Sequence, residues 1–167
     1  MIHKLNRPLV RSEMQSPLGK ITLAAHDDAL VGIWFDGQAH SPPDMQSWTL
    51  VKRNALMDTA AKQLLEYFAG KRQHFDLPLD RNSGTAFQQS VWHSLLTIPP
   101  GETVSYGTVG QRIGKPSAVR AVGAAVGRNP FSIVVPCHRV IGTNGSLTGY
   151  AGGLDRKVAL LTLEGYL

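Results

Sequence analysis

Cysteine is nearly absent: Cys137 is the only one in 167 residues. An intramolecular disulfide is therefore excluded, as are the structural zinc patterns that need two or more cysteines. The six histidines include no H-x-x-x-H pair, so no metal site is expected. Long apolar runs are also missing, and none approaches the roughly 20 residues that a membrane helix requires. Met1 to Val10 lacks the apolar stretch of a secretory signal. With 43% hydrophobic and 17% charged residues, the chain reads as soluble, globular and intracellular rather than disordered. Its length admits one large domain or two small ones.

Acidic residues are scarce in the second half. Ten Lys/Arg and nine Asp/Glu precede residue 84, a net of +1; seven Lys/Arg and three Asp/Glu follow, a net of +4. A basic half suits a polyanionic partner, because cations that neutralise phosphates release counterions. Basic domains that bind no nucleic acid are equally compatible with this count alone.

The pattern of apolar residues divides the chain at the same place. Ile21, Leu23 and Ala25 alternate with Thr22 and Ala24, His26-Asp27-Asp28 supplies a turn, and Leu30 to Phe35 is a second apolar run. That predicts a β-hairpin. Leu56, Ala60, Leu64 and Tyr67/Phe68 fall at helical spacing from about Asn54, with Gly70 as a stop. Phe75, Leu77 and Leu79 predict a short strand, and Pro78 places it at an edge. Arg81-Asn82-Ser83-Gly84 reads as a boundary, giving an α/β domain over 1–83 and a mostly α domain over 84–167.

In the second domain, Thr85 and Gln88 fit a capping box before a helix carrying Phe87, Val91 and Leu95. Ser105 can cap a helix that carries Val109 and Ile113 and ends at Gly114. Lys115-Pro116-Ser117 opens another, running to about Gly127. Two short helices so joined are compatible with a helix-turn-helix. In the second of them Val119, Val122 and Val126 form the expected core stripe. Beside it Arg120, Gly123, Ala124 and Gly127 make a smooth face. Interior glycine costs a helix about 1 kcal/mol relative to alanine, so something should need that smoothness. Close packing of another helix and close approach of a DNA groove both satisfy it. Small residues read base edges poorly, so a DNA mode would be sequence-independent or lie in the minor groove.

Cys137 follows Ile133-Val134-Val135-Pro136, an apolar run expected to pass extended through the core. His138 and Arg139 follow directly. A thiol acts as a nucleophile only when deprotonated, and a neighbouring base or cation favours that. Leu154, Val158 and Leu161 are the expected buried face of the last helix, and Glu164 lies three residues beyond Leu161. A Cys137–His138–Glu164 relay, with Glu orienting His and His taking the thiol proton, would give that carboxylate a partner. An inert buried cysteine and a frayed terminal glutamate are the alternatives. The P-C-x-x-C of zinc deaminases and the C-x-x-C of thioredoxins are absent, as are the papain and caspase neighbourhoods.

Pro136-Cys137-His138-Arg139-Val140 resembles the active-site motif of the O6-alkylguanine-DNA alkyltransferase family, the methylated-DNA–protein-cysteine methyltransferases. The resemblance continues in family order through Gly101-Glu102-Thr103, Ser105-Tyr106-Gly107, Arg120-Ala121-Val122-Gly123, Asn129-Pro130, Gly149-Tyr150-Ala151-Gly152-Gly153 and Leu160-Leu161-Thr162-Leu163-Glu164. It covers about residues 84 to 165. The first half is similar only in general character, as a small ribonuclease-H-like α/β domain. The resemblance implies that Cys137 accepts the alkyl group, that His138 is the base through a bridging water, and that Glu164 orients it. It implies that Asn129 braces the preceding turn and that Tyr106 helps rotate the target nucleotide from the duplex. Arg120 would fill the space left in the stack. Tyr150, the backbone from Ala151 through Gly152 to Gly153, and the Val140 carbonyl would wall the base pocket.

Some members carry serine at the position of Ala151, so a hydroxyl contact is lost here. Some bind zinc in the first domain through cysteine and histidine, and this chain has no cysteine there. The implied function is direct reversal of O6-alkylguanine, and of O4-alkylthymine, in double-stranded DNA after base flipping. It would need no cofactor and allow one turnover per molecule. A monomer is expected, cooperativity on DNA being left open, and the usual setting for a member of this size is the bacterial cytoplasm. A non-catalytic lesion-binding module and a cysteine hydrolase are the competing classes.

Overall fold

The computed structural model describes residues 8–167; the reading of Met1 to Val10 falls largely outside them. The chain forms two compact units. One holds the described residues up to Gly37 together with Ser41–Arg81, and the other holds Gln38–His40 together with Asn82–Leu167. The chain thus passes between units at Arg81/Asn82, close to the break suggested by the sequence, whereas the assignment of Gln38–His40 to the second unit had no sequence signal.

In the first unit a four-stranded sheet is built from β1 (Val10–Ser16), β2 (Gly19–Ala25), β3 (Leu30–Phe35) and β4 (Thr49–Leu50), in the order β3-β2-β1-β4. The expected β2–β3 hairpin is present and antiparallel, with a register shift at Ala24/Ala25. β1 pairs antiparallel with β2 and parallel with β4. Every residue from Ile21 to Ala25 is buried, so β2 is a central strand covered on both faces.

Helix α1 (Ala55–Phe68) begins where Asn54 accepts from the Met57 N–H, a side-chain N-cap. Its buried stripe is Met57, Ala60, Gln63, Leu64 and Tyr67, and Leu56 is only half-buried. The strand expected at Phe75–Leu79 does not form. Only a bridge between Leu30 and Leu79 exists, because Pro78 has no N–H to continue a ladder. Gln63 instead holds the segment to α1, with both amide atoms 3.0 Å from the Asp76 backbone.

The second unit is mostly helical. Helix α2 (Ala86–Leu95) starts with the expected capping box, formed by Thr85 and Gln88. β5 (Val104–Ser105) leads into α3 (Tyr106–Arg112), capped by Ser105 on the Thr108 N–H. Helix α4 is Val119–Gly127. It starts later than Lys115-Pro116-Ser117, which remain in the turn. At that turn a Cβ on Gly110 would sit 3.0 Å from the Lys115 carbonyl, so glycine lets the two helices join closely. Helices α2, α3 and α4 pack on one another, and Trp92 Nε1 donates to the Ala125 carbonyl at 2.7 Å. Val122, Ala125 and Val126 are the buried stripe of α4, while Val119 is exposed. The expected core stripe was therefore displaced by part of a turn.

Beyond α4 come a 3-10 turn at Cys137–Arg139, β6 (Val140–Ile141), parallel to β5, and α5 (Leu154–Leu163). Among the described residues no helix is long and apolar enough to cross a membrane.

Candidate active site

Ile133, Val135 and Cys137 are buried as expected, but the segment leading to the cysteine is coiled, not extended. The Val134 N–H bonds the Ser132 carbonyl at 2.9 Å, closing a γ-turn centred on Ile133 at φ +73. That hand of γ-turn is rare and strained, and left-handed backbone is unusual for a β-branched side chain. A second γ-turn, of the commoner hand, runs from Val135 O to Cys137 N at 2.8 Å around Pro136 at φ −82, ψ 66. Asn129 over-determines this geometry. Its Oδ1 accepts from Phe131 N at 2.9 Å, and its Nδ2 donates to Val135 O at 2.7 Å and Phe131 O at 3.3 Å. Strain of this kind, roughly 1–3 kcal/mol, persists only where surrounding bonds enforce it.

The turns deliver Cys137 to the floor of a cleft of about 260 Å³ lined also by Tyr106, Gly123, Gly127, Tyr150 and Ala151, with Ala39 and His40 at its side. Small-molecule sites usually run roughly 300–1,000 Å³, so this one suits a single ring system. Two bonds hold the Gln38–His40 strap within the unit: Ser132 Oγ to Gln38 Oε1 at 3.0 Å and Ala39 N to Ala151 O at 2.8 Å.

Behind the thiol lies a buried ionic cluster. His138 Nε2 is 2.8 Å from Glu164 Oε2, and Arg139 donates from Nε to Oε1 and from Nη2 to Oε2, each at 2.8 Å. Arg139 Nη1 also reaches the Ile98 carbonyl at 2.6 Å. Because Nε2 faces a carboxylate, it carries the proton and Nδ1 is left as the basic nitrogen. Nδ1 is buried and has no protein hydrogen-bond partner. Burial lowers the His138 pKa below its ordinary 6.5, opposed by Glu164, so the ring is a neutral base at pH 7.

Burial also pushes the Cys137 thiol up. Hydrogen bonding from Asn129, the charge of Lys157, a backbone N–H and the Tyr150 hydroxyl all pull the other way. The resting pair is thus thiol and neutral imidazole, with a set of donors ready for the thiolate.

The remaining expected residues are placed as follows. Tyr106 lies at the start of α3, half-buried, its hydroxyl 3.4 Å from the Thr148 carbonyl; burial and the Cys137 charge raise its pKa. Val140 is buried and its carbonyl accepts from Lys157 Nζ at 2.6 Å. Gly152 is buried, and its carbonyl accepts from Arg156 at 3.1 Å. Neither Val140, Gly152 nor Arg120 lines the cleft. Arg120 is exposed on α4, one turn before Gly123. A Cβ on Gly123 would meet nothing closer than Tyr106 Cδ1 at 3.9 Å, and one on Gly127 nothing within 4 Å. No internal packing therefore demands these glycines, which disfavours the helix-packing explanation of the smooth face.

Lys157 escaped the sequence reading. Leu154 and Val158, expected to be buried with Leu161, are exposed; the buried residues of α5 are Lys157, Leu160 and Leu161. With Glu164 they stand at i, i+3, i+4 and i+7, so the stripe was visible to anyone willing to admit a lysine to it. Ala39 and His40 carry no sequence signal at all.

Chemically, this arrangement defines a class: a protein that uses sulfur as a nucleophile, in a cleft sized for one ring system, with an oriented imidazole to take the proton. Comparison narrows the class. The sequence model of the 6-O-methylguanine DNA methyltransferase DNA-binding domain matches residues 86–166, and that of the family's ribonuclease-like domain matches residues 9–81. A methylated-DNA–protein-cysteine methyltransferase of Mycobacterium tuberculosis is 50% identical over 151 residues, covering 90% of this chain and 89% of the relative. An inducible one of Bacillus subtilis is 45% identical over 144 residues, covering 81% and 80%. The crystal structure of Mycobacterium tuberculosis OGT in complex with DNA superposes with a TM-score of 0.85 at 49% identity, covering 93% of this chain and 92% of that one. The chain belongs to the 6-O-methylguanine DNA methyltransferase family.

Proposed function

We propose that this protein repairs DNA by direct reversal, taking the alkyl group from O6-alkylguanine, and from O4-alkylthymine, in duplex DNA onto Cys137. The observation that carries the reading is the buried thiol on the floor of a base-sized cleft, backed by the His138–Glu164 pair. The basic second unit and the smooth α4 face support DNA as the partner, held largely through its phosphates. The lesion's reactive carbon is out of reach inside paired DNA, so the nucleotide is extruded, at a cost of a few kcal/mol that falls when the base pairs badly. Tyr106 turns the nucleotide outward and Arg120 enters the stack behind it.

In the cleft, the thiol proton passes by way of a water to His138 Nδ1, and Glu164 stabilises the imidazolium. The sulfur attacks the alkyl carbon in line. A C–S bond forms, the C–O bond breaks, and its electron pair stays on the guanine, where donors at the cleft wall, the Tyr106 hydroxyl and the Ala151 N–H among them, stabilise the developing charge. The product is a thioether with no acyl carbon for water to attack. Each molecule therefore acts once. A lesion-binding module without chemistry would have no use for this armed cysteine.

Mass spectrometry after incubation with O6-methylguanine duplex tests the reading. One added methyl on Cys137 is expected, with none on a Cys137→Ser protein that still binds the duplex. An unmodified Cys137 beside intact lesion would overturn it, and multiple turnovers on an ester would point to a hydrolase.

A further inference from the structure

We propose that Lys157 is a positioning residue for transfer to Cys137: its ammonium pins the Thr148–Gly149 segment at the edge of the cleft to Val140 and supplies the positive charge that the thiolate faces. The inference rests on Cys137 as the alkyl acceptor.

Lys157 has no exposed surface. Its Nζ donates to the carbonyls of Val140 at 2.6 Å, Gly149 at 3.1 Å and Thr148 at 3.3 Å. All three donors of an ammonium are therefore used, and each goes to a neutral oxygen. Among the described residues no carboxylate pairs with it; Glu164, on the same helix face, is engaged by Arg139 and His138. Arg139 and Glu164 cancel, and His138 rests neutral, so Lys157 is the cation left uncompensated in the buried cluster. An ammonium in that position is costly, and burial lowers its pKa to about 8 while a charge on Cys137 would raise it. The Lys157 charge lowers the pKa of the Cys137 thiol and a thiolate raises that of Lys157, so the two charged forms favour each other.

Helix α5 explains why one element can serve both reacting groups. Lys157 and Glu164 lie on one face, seven residues and about 10 Å apart along the axis. The first serves the thiol and the second the imidazole. Other titratable groups take part around them: Cys137 and His138 sense the Lys157 charge, the Tyr150 hydroxyl lowers the thiol pKa, and Tyr106 at the cleft senses the thiolate. Asp155 and Arg156 on α5 do not belong to its buried stripe.

The test uses the full chain with Lys157→Met. Cys137 is the only thiol, so its carboxamidomethylation by iodoacetamide can be followed by mass spectrometry across pH to give the thiol pKa. That value is expected to rise by about one unit, a tenfold loss of thiolate, and single-turnover methyl transfer is expected to slow at least tenfold. Lys157→Arg, which keeps the charge, should restore the thiol pKa. A folded Lys157→Met protein with the native thiol titration and transfer rate overturns the proposal. Should Lys157→Met fail to fold, the coupling is read in the other direction: the lysine side-chain NMR titration of Lys157 should lie lower in Cys137→Ser than in the native protein, and identical titrations overturn the proposal. If the native protein transfers no methyl, the functional reading fails, while the thiol titration still decides the role of Lys157.

Discussion

Replacing Glu164 by glutamine separates the chemical role of the buried cluster from its structural one. The native carboxylate accepts three hydrogen bonds, one from His138 and two from Arg139, all at 2.8 Å, and its side chain is 2% exposed. A glutamine amide of the same shape offers one oxygen, and its NH₂ group must face a donor. Removing one partner of a buried ion pair typically costs about 3–5 kcal/mol, so a urea-measured stability loss of about that size is expected. The rate should suffer independently. Without the carboxylate the imidazolium is unsupported and the proton on Nε2 is no longer fixed, and an oriented general base contributes roughly 10²–10⁴. At 1.36 kcal/mol per decade, transfer should lose about 3–5 kcal/mol of transition-state stabilisation. Rapid mixing of excess protein with O6-methylguanine duplex, quenching, and counting methyl groups on Cys137 gives the rate constant, while the endpoint gives the folded fraction. A rate constant within threefold of the native one, at a full endpoint, would refute the relay.

Two further outcomes follow from the same site. Gly123→Ala should stabilise α4 by about 1 kcal/mol, since its methyl meets only Tyr106 at 3.9 Å. It should nevertheless slow transfer from duplex DNA several-fold while leaving iodoacetamide labelling of Cys137 unchanged; equal transfer would mean that no partner approaches this face. Because the His138 pKa lies below 6.5, its basic Nδ1 survives acidification through that value. The transfer rate should stay flat as pH falls to 6.5 and drop only below it, and a half-maximum at or above 6.5 contradicts the reading. The sign for stability is fixed by the same shift. Below pH 6.5 the unfolded chain binds this proton first, so His138 makes the fold less stable as pH falls.

The residues of the proposed relay stood out in the sequence because they are nearly contiguous: Cys137 and His138 share one 3-10 turn, Cys137–Arg139, and Glu164 meets His138 from the end of a helical stripe. The hairpin β2–β3 was legible from its apolar residues. β1, reading Val-Arg-Ser-Glu-Met-Gln-Ser, was not, since it is half polar and its strand state comes from pairing with β2. The coil before Cys137 was misread for a physical reason. Ile-Val-Val favours extended backbone locally, and only the three bonds of Asn129 force Ile133 to positive φ. Lys157 was missed because apolar periodicity discards charges, and Leu154 and Val158 then stood in for the true buried face.

The 4% exposure of Cys137 has a consequence for how such a protein waits. A reagent used once must not be spent on the wrong target. Oxidants and stray electrophiles in the cell react with exposed thiolates, and this sulfur idles as a covered, protonated thiol. What reaches it must first enter the cleft that Cys137 lines. The shelf life of each molecule, and with it the number of lesions a cell can answer at short notice, is set by how well that single atom is kept dormant.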